Sequence, residues 1–117
     1  MNMTQYIDAE AVNKQISYAR LIFNTNGNYL TSENISKKII RIGRDPRNDI
    51  VIRDYTVSRM QCWIVKEKDR FILKNYSYIN TTKLNGKTVK KSKEIRYGDV
   101  VKIGNITFTF DNVLEAS

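Results

Sequence analysis

A chain of 117 residues with 41% hydrophobic side chains has room for one domain and enough apolar material to fill its core. It contains no histidine and a single cysteine, which excludes the commonest general base, the commonest zinc ligand, a disulfide framework and a cysteine metal cluster. Lys and Arg number 20 against 12 Asp and Glu, a net charge of +8 that favours an anionic partner without choosing among phosphoprotein, nucleic acid and membrane surface.

No apolar run approaches the roughly 18 residues of a membrane-spanning helix, and no charged-then-apolar leader opens the chain. The expected setting is the soluble interior of a cell, cytoplasmic or, in a eukaryote, nuclear, with no membrane partner. Residues 1–17 carry no strand pattern and read as a leader, flexible or forming a helical turn or two over Asp8–Ser17. From Tyr18 onward, short β-branched and aromatic runs alternate with turn residues. Strands are expected at Ala19–Asn24, Tyr29–Thr31, Lys38–Ile42, Ile50–Ile52, Gln61–Lys66, Phe71–Lys74, Lys83–Leu84, Thr88–Val89, Val100–Ile103 and Ile106–Phe110. Asn26-Gly27-Asn28 and Asn85-Gly86 suit tight hairpins, Lys66–Arg70 is a charged tip, and Gly104-Asn105 divides the last two strands. No sustained helical periodicity follows residue 18, so the fold class is all-β: a domain over 18–112, followed by a tail over 113–117. Cys62, inside an apolar run, is expected as a buried structural thiol, and Trp63 as a packing residue.

Three segments follow one another in order: Ile42-Gly43-Arg44-Asp45-Pro46-Arg47-Asn48-Asp49-Ile50, Val57-Ser58-Arg59-Met60-Gln61, and the run Asn75–Gly86 that contains Asn80, Thr82 and Asn85. Tyr97–Gly104 then places Gly-Asp before an apolar strand. This ordered set, spread over about residues 19–111, resembles the forkhead-associated (FHA) domain family. The resemblance implies an FHA-like β-sandwich of about eleven strands with binding loops at one end. It implies a phosphothreonine-dependent protein–protein interaction module in signalling or assembly, with no enzymatic activity, no cofactor and no metal. By that resemblance Arg44 brings a guanidinium to the phosphate, Ser58 donates its hydroxyl, and Asn80 bonds the peptide backbone. Arg59 matches a position that often helps with phosphate or peptide. Gly43 allows close packing beside Arg44, while Thr82 and Asn85 brace the loop and turn that present Asn80.

The chemistry agrees with that assignment. A phosphate dianion carries up to about two charges and three acceptor oxygens, so it needs several convergent donors on loops fixed by a rigid scaffold. A guanidinium fork matches phosphate oxygens and stays protonated at any working pH. A hydroxyl and an amide add donors that need no change of protonation state. Taken singly, Arg44 is a solvated charge, Ser58 a turn hydroxyl and Asn80 a turn former; it is the ordered set that points to a ligand. Arg47 and Arg53 read as solvated charges.

Three positions depart from the family pattern. Gln61 stands where histidine is usual and buttresses the loops, so a partial replacement and a looser loop are expected. Ile79 stands where a hydroxyl residue is common. Thr81 stands where glycine is usual, so either the threonine is strained or the turn has another shape. These departures motivate the alternative of a degenerate FHA domain acting as a phosphate-independent scaffold or dimerisation module. Nucleic-acid binding is disfavoured, because no interleaved aromatic and basic platform stands out. Thr4, with Ile7 three positions on, suggests self-association through a phosphorylated Thr4 docking on Arg44.

Overall fold

A computed structural model describes residues 17–113 of the chain. The expectations for residues 1–16, Thr4 among them, and for 114–117 lie outside the described residues.

The described chain is all-β. Its strands are β1 (Ala19–Thr25), β2 (Asn28–Ile35), β3 (Ile39–Gly43), β4 (Ile50–Val51), β5 (Cys62–Glu67), β6 (Arg70–Asn75), β7 (Thr82–Leu84), β8 (Lys87–Thr88), β9 (Ser92–Ile95), β10 (Val100–Ile103) and β11 (Ile106–Asp111). They form a six-stranded sheet in the order β2-β1-β11-β10-β7-β8 and a five-stranded sheet in the order β4-β3-β5-β6-β9. Neighbours pair antiparallel except β3 with β4, which run parallel. No helix among the described residues is long and apolar enough to cross a membrane.

Strict alternation drives the stacking. In β1 the side chains of Ala19, Leu21 and Phe23 turn inward, and in β11 those of Ile106, Phe108 and Phe110 do the same. Phe23 lies opposite Phe108 in register, with ring centroids 5.3 Å apart. From the other sheet Ile42, Cys62, Ile64 and Leu73 close the core. Cys62 is fully buried, and burial pushes its thiol up to about 12, so it stays protonated and packs as a small hydrophobe.

Ten of the eleven strands lie where the sequence places them, to within about a residue at most ends. The strand β9 is not among those expected, and β2 continues to Ile35, well beyond Thr31. Both are edge strands, and only Ile95 of β9 and Ile35 of β2 are buried, so neither carries the alternation of a half-buried strand. The hairpins fall as expected: Asn26 and Gly27, like Asn85 and Gly86, take positive φ, as a two-residue turn of the right twist requires.

The row Ile42–Cys62–Asn75 runs straight across β3, β5 and β6. It aligns the end of β3, the start of β5 and the end of β6. The β3–β4, β4–β5 and β6–β7 loops therefore leave the sandwich at the same end.

Candidate functional site

Those loops enclose a shallow cleft of about 660 Å³ whose polar wall contains Arg44, Ser58, Arg59 and Asn80. Arg44 is the first residue after β3. Its backbone N–H donates to the Ser58 carbonyl (3.0 Å) and its Nε to the Val57 carbonyl (3.1 Å). One edge of the guanidinium is thus clamped, while its terminal nitrogens make no hydrogen bond among the described residues.

Ser58 and Asn80 come from different loops, yet they touch. Asn80 Nδ2 donates to Ser58 Oγ at 3.0 Å, and Ser58 Oγ lies 2.5 Å from Ser77 Oγ. Asn80 N–H donates to Ser77 Oγ at 3.0 Å. Ser77 therefore joins the two loops at the floor of the cleft. It escapes sequence reading because a serine in an Asn/Tyr/Ser loop looks like any turn residue; the spacing Asn75-x-Ser77, with Ser77 N–H donating to Asn75 Oδ1 (3.2 Å), was the available signal of an Asx turn.

Beneath this set lies Gln61, fully buried. Its Oε1 accepts the Ser58 N–H (2.8 Å), and its Nε2 donates to the Asn80 carbonyl and to Thr82 Oγ1, both at 2.9 Å. Thr82 Oγ1 donates onward to Asn75 Oδ1 (2.8 Å). A single amide, with both N–H groups and its oxygen engaged, joins the β4–β5 loop to the β6–β7 loop. Where the sequence predicts slack from a glutamine, the geometry shows a side chain with its bonding capacity used.

Gly43 sits where two loops cross. A Cβ there would overlap the Arg59 carbonyl oxygen and crowd Asn48 Nδ2. That same carbonyl accepts Asp45 N–H (3.2 Å) and Asn48 Nδ2 (2.7 Å). Asn48 is buried and also holds the Asp45 carbonyl (2.9 Å), a clasp not singled out by the sequence. Arg59 keeps its side chain exposed at the cleft, with its backbone pinned by these bonds. Arg47 is not a free charge: its Nε and Nη2 grip the Asp45 carboxylate at 3.0 and 2.9 Å. With the Arg47 backbone N–H they hold the Asp45 carboxyl at about 2.

Asn85 is placed elsewhere. It follows β7, at the opposite end of that strand from Asn80, and bonds Asp99 Oδ1 (3.0 Å) and Val100 N–H (2.9 Å). Thr81 is not among the non-glycine residues with positive φ, so the turn has a shape that threonine adopts without strain. Ile79 is 89% exposed and Tyr78 fully so; with Tyr55 and Met60 they give the cleft an apolar rim. Tyr76 packs on Trp63, ring centroids 4.8 Å apart, anchoring the base of the β6–β7 loop. No group of three or more His, Cys, Asp or Glu side chains suited to a metal ion occurs among the described residues.

Two packed sheets that carry an arginine tied at Nε, a serine and an asparagine on loops meeting at one end define a β-sandwich interaction domain. The family model for the FHA domain matches residues 40–104, more than half of the chain, and the chain belongs to that family. The proliferation marker protein Ki-67 of Mus musculus and that of Homo sapiens are each 33% identical over 70 residues, which is 60% of this chain and 2% of each of those proteins. The chain thus matches only a small part of those relatives. Among solved structures it resembles the FHA domain of the CT664 protein from Chlamydia trachomatis, with TM-score 0.75 and 20% identity over 84% of this chain and 100% of that one. It also resembles Mycobacterium tuberculosis EmbR in complex with a low-affinity phosphopeptide, with TM-score 0.76 and 21% identity over 97% of this chain and 31% of that one. These likenesses show the fold.

Proposed function

We propose that this domain binds a phosphothreonine-containing segment of a partner protein, with Arg44, Ser58 and Asn80 as its contacts. The observation that carries the reading is the arrangement at Arg44: Nε is tied to the Val57 carbonyl, the terminal nitrogens make no hydrogen bond among the described residues, and the residue lines the same cleft as Ser58 and Asn80. The phosphate would take the free guanidinium edge as a charge-assisted pair. Because Ser58 Oγ accepts from Asn80, its own hydrogen is available to turn from Ser77 to a phosphate oxygen. Asn80 keeps a second amide hydrogen for the peptide backbone. Arg59 adds charge at the mouth, and Gln61, Thr82 and Gly43 hold the loops in register. Solved neighbours support the reading in kind: EmbR is seen with a phosphopeptide, and another FHA domain structure concerns phosphothreonine-dependent interactions.

Arg44→Ala should weaken binding to a phosphothreonine peptide by about 100-fold, the loss of a bidentate charged contact. It should shift unfolding by no more than about 1 kcal/mol, since the arginine is exposed and gives up one hydrogen bond. Calorimetric titration against phosphorylated and unphosphorylated peptide libraries tests this. Equal binding of unphosphorylated peptides, unaffected by Arg44→Ala, would favour the phosphate-independent scaffold, for which the exposed Tyr78 and Ile79 supply an apolar contact.

A further inference from the structure

A second depression adjoins the same turn. It has a volume of about 250 Å³, shares Ile79 and Asn80 with the cleft, and is completed by Thr81, Lys83, Lys102 and Gly104. Lys83 of β7 and Lys102 of β10 are direct cross-strand partners, so their side chains rise side by side on one sheet face. Like charges so placed destabilise a sheet. The flanking cross-strand neighbours are Thr88 and Thr107, which offer no compensating charge. Neither lysine forms an ion pair among the described residues, whereas Lys37, Arg41, Arg47, Arg70 and Arg96 each do. Backbone register thus keeps two cations, without a charged partner among the described residues, beside the residue assigned to the peptide backbone.

We propose that this depression receives a second anionic group, a carboxylate or a further phosphate, from the segment whose phosphothreonine sits at Arg44, Ser58 and Asn80; the proposal rests on that reading of the cleft. The shared Ile79–Asn80 turn is the bridge: a peptide held by Asn80 already runs along the edge of the lysine pair. An anion there neutralises both lysines and relieves their mutual repulsion, so its charge adds to affinity. Lys83 and Lys102 then act as specificity residues for acidic or multiply phosphorylated segments.

The test uses the full chain and three peptide series around one phosphothreonine: neutral flanks, a glutamate placed at each flanking position in turn, and a phosphoserine placed likewise. Calorimetry should show a gain of about fivefold for glutamate at the positions that reach the pair, and a larger one for phosphoserine. A gain with phosphoserine alone would identify the source as a second phosphate; a gain with both would admit acidic residues. The double variant Lys83→Ala, Lys102→Ala should lose the gain, bind the neutral-flank peptide unchanged and melt no lower than the parent. A gain that survives in the double variant, or equal affinity across the series, overturns the proposal. Absence of any phosphothreonine binding overturns the reading of the cleft as well, whereas binding without a gain overturns the lysine site alone. An oligonucleotide held through the same lysines, with no gain for acidic peptides, would overturn it in favour of a nucleic-acid surface.

Discussion

The Gln61 side chain joins the β4–β5 and β6–β7 loops of the cleft, and its burial makes the dependence measurable. Gln61→Leu would remove the partners of the part-buried Ser58 N–H and Asn80 carbonyl and of the buried Thr82 hydroxyl, and should lower unfolding free energy by about 2–4 kcal/mol in urea denaturation. Gln61→Glu should fare no better, because a carboxylate cannot donate to the Asn80 carbonyl and Thr82 Oγ1. Unchanged stability in both variants would remove Gln61 from the supporting network. The Asp45–Arg47 clasp gives a pH signature. The Asp45 carboxyl is held at about 2, below its ordinary 3.8, so its contribution to stability is complete above about pH 4 and fades as pH falls toward 2. Arg47→Ala should return that pKa toward its ordinary value in a carbon-detected NMR titration; an unmoved pKa would contradict the assigned cause. At this scale the sequence showed Arg44, Ser58, Asn80 and Gln61, whose types and order form a pattern. It hid Ser77, Asn75 and Asn48, because their partners are set by the fold: Ser77 meets Ser58 across 19 residues of chain.

The loops are elements as well as carriers of side chains, and their contact has little slack. At Gly43 the end of β3 passes against the Arg59 carbonyl of the β4–β5 loop, so Gly43→Ala forces that strand end and the loop apart. We expect a destabilisation of about 2 kcal/mol or more together with weaker phosphopeptide binding, measured by thermal melting and titration of the same variant. Normal affinity and normal melting would show that the crossing gives way freely. Further along the β4–β5 loop, Thr56 Oγ1 donates to the Asp54 carboxylate and accepts the Asn105 N–H, fastening that loop to the β10–β11 turn. Strand legibility followed burial. Where one face meets the core, as in β1 and β11, alternation marks the strand; β9, with Ser92, Lys93 and Glu94 before its one buried residue Ile95, sits on a sheet edge. A lysine on an edge strand discourages pairing with another chain, and Lys93 with Ser92 and Glu94 leaves no hydrophobic alternation to announce the strand.

Across the whole molecule, two sheets of unequal size share a core of aromatic and branched side chains, and polar chemistry gathers where three loops meet. All-β class, strand succession and family were legible because hairpin residues and alternating strands recur through the chain. The apolar rim of Tyr55, Met60, Tyr78 and Ile79 was not, since exposure depends on which way each loop turns. Within the net charge of +8, the adjacency of Lys83 and Lys102 across β7 and β10, neither in an ion pair among the described residues, places two cations side by side next to the cleft. We propose that phosphothreonine is recognised at the loop end. The most direct test is an amide NMR titration of the full chain with one peptide in phosphorylated and unphosphorylated form. Shifts centred on Arg44, Ser58 and Asn80 are expected with the phosphorylated peptide alone; shifts confined to a sheet face, or identical shifts with both peptides, would contradict recognition of the phosphate there.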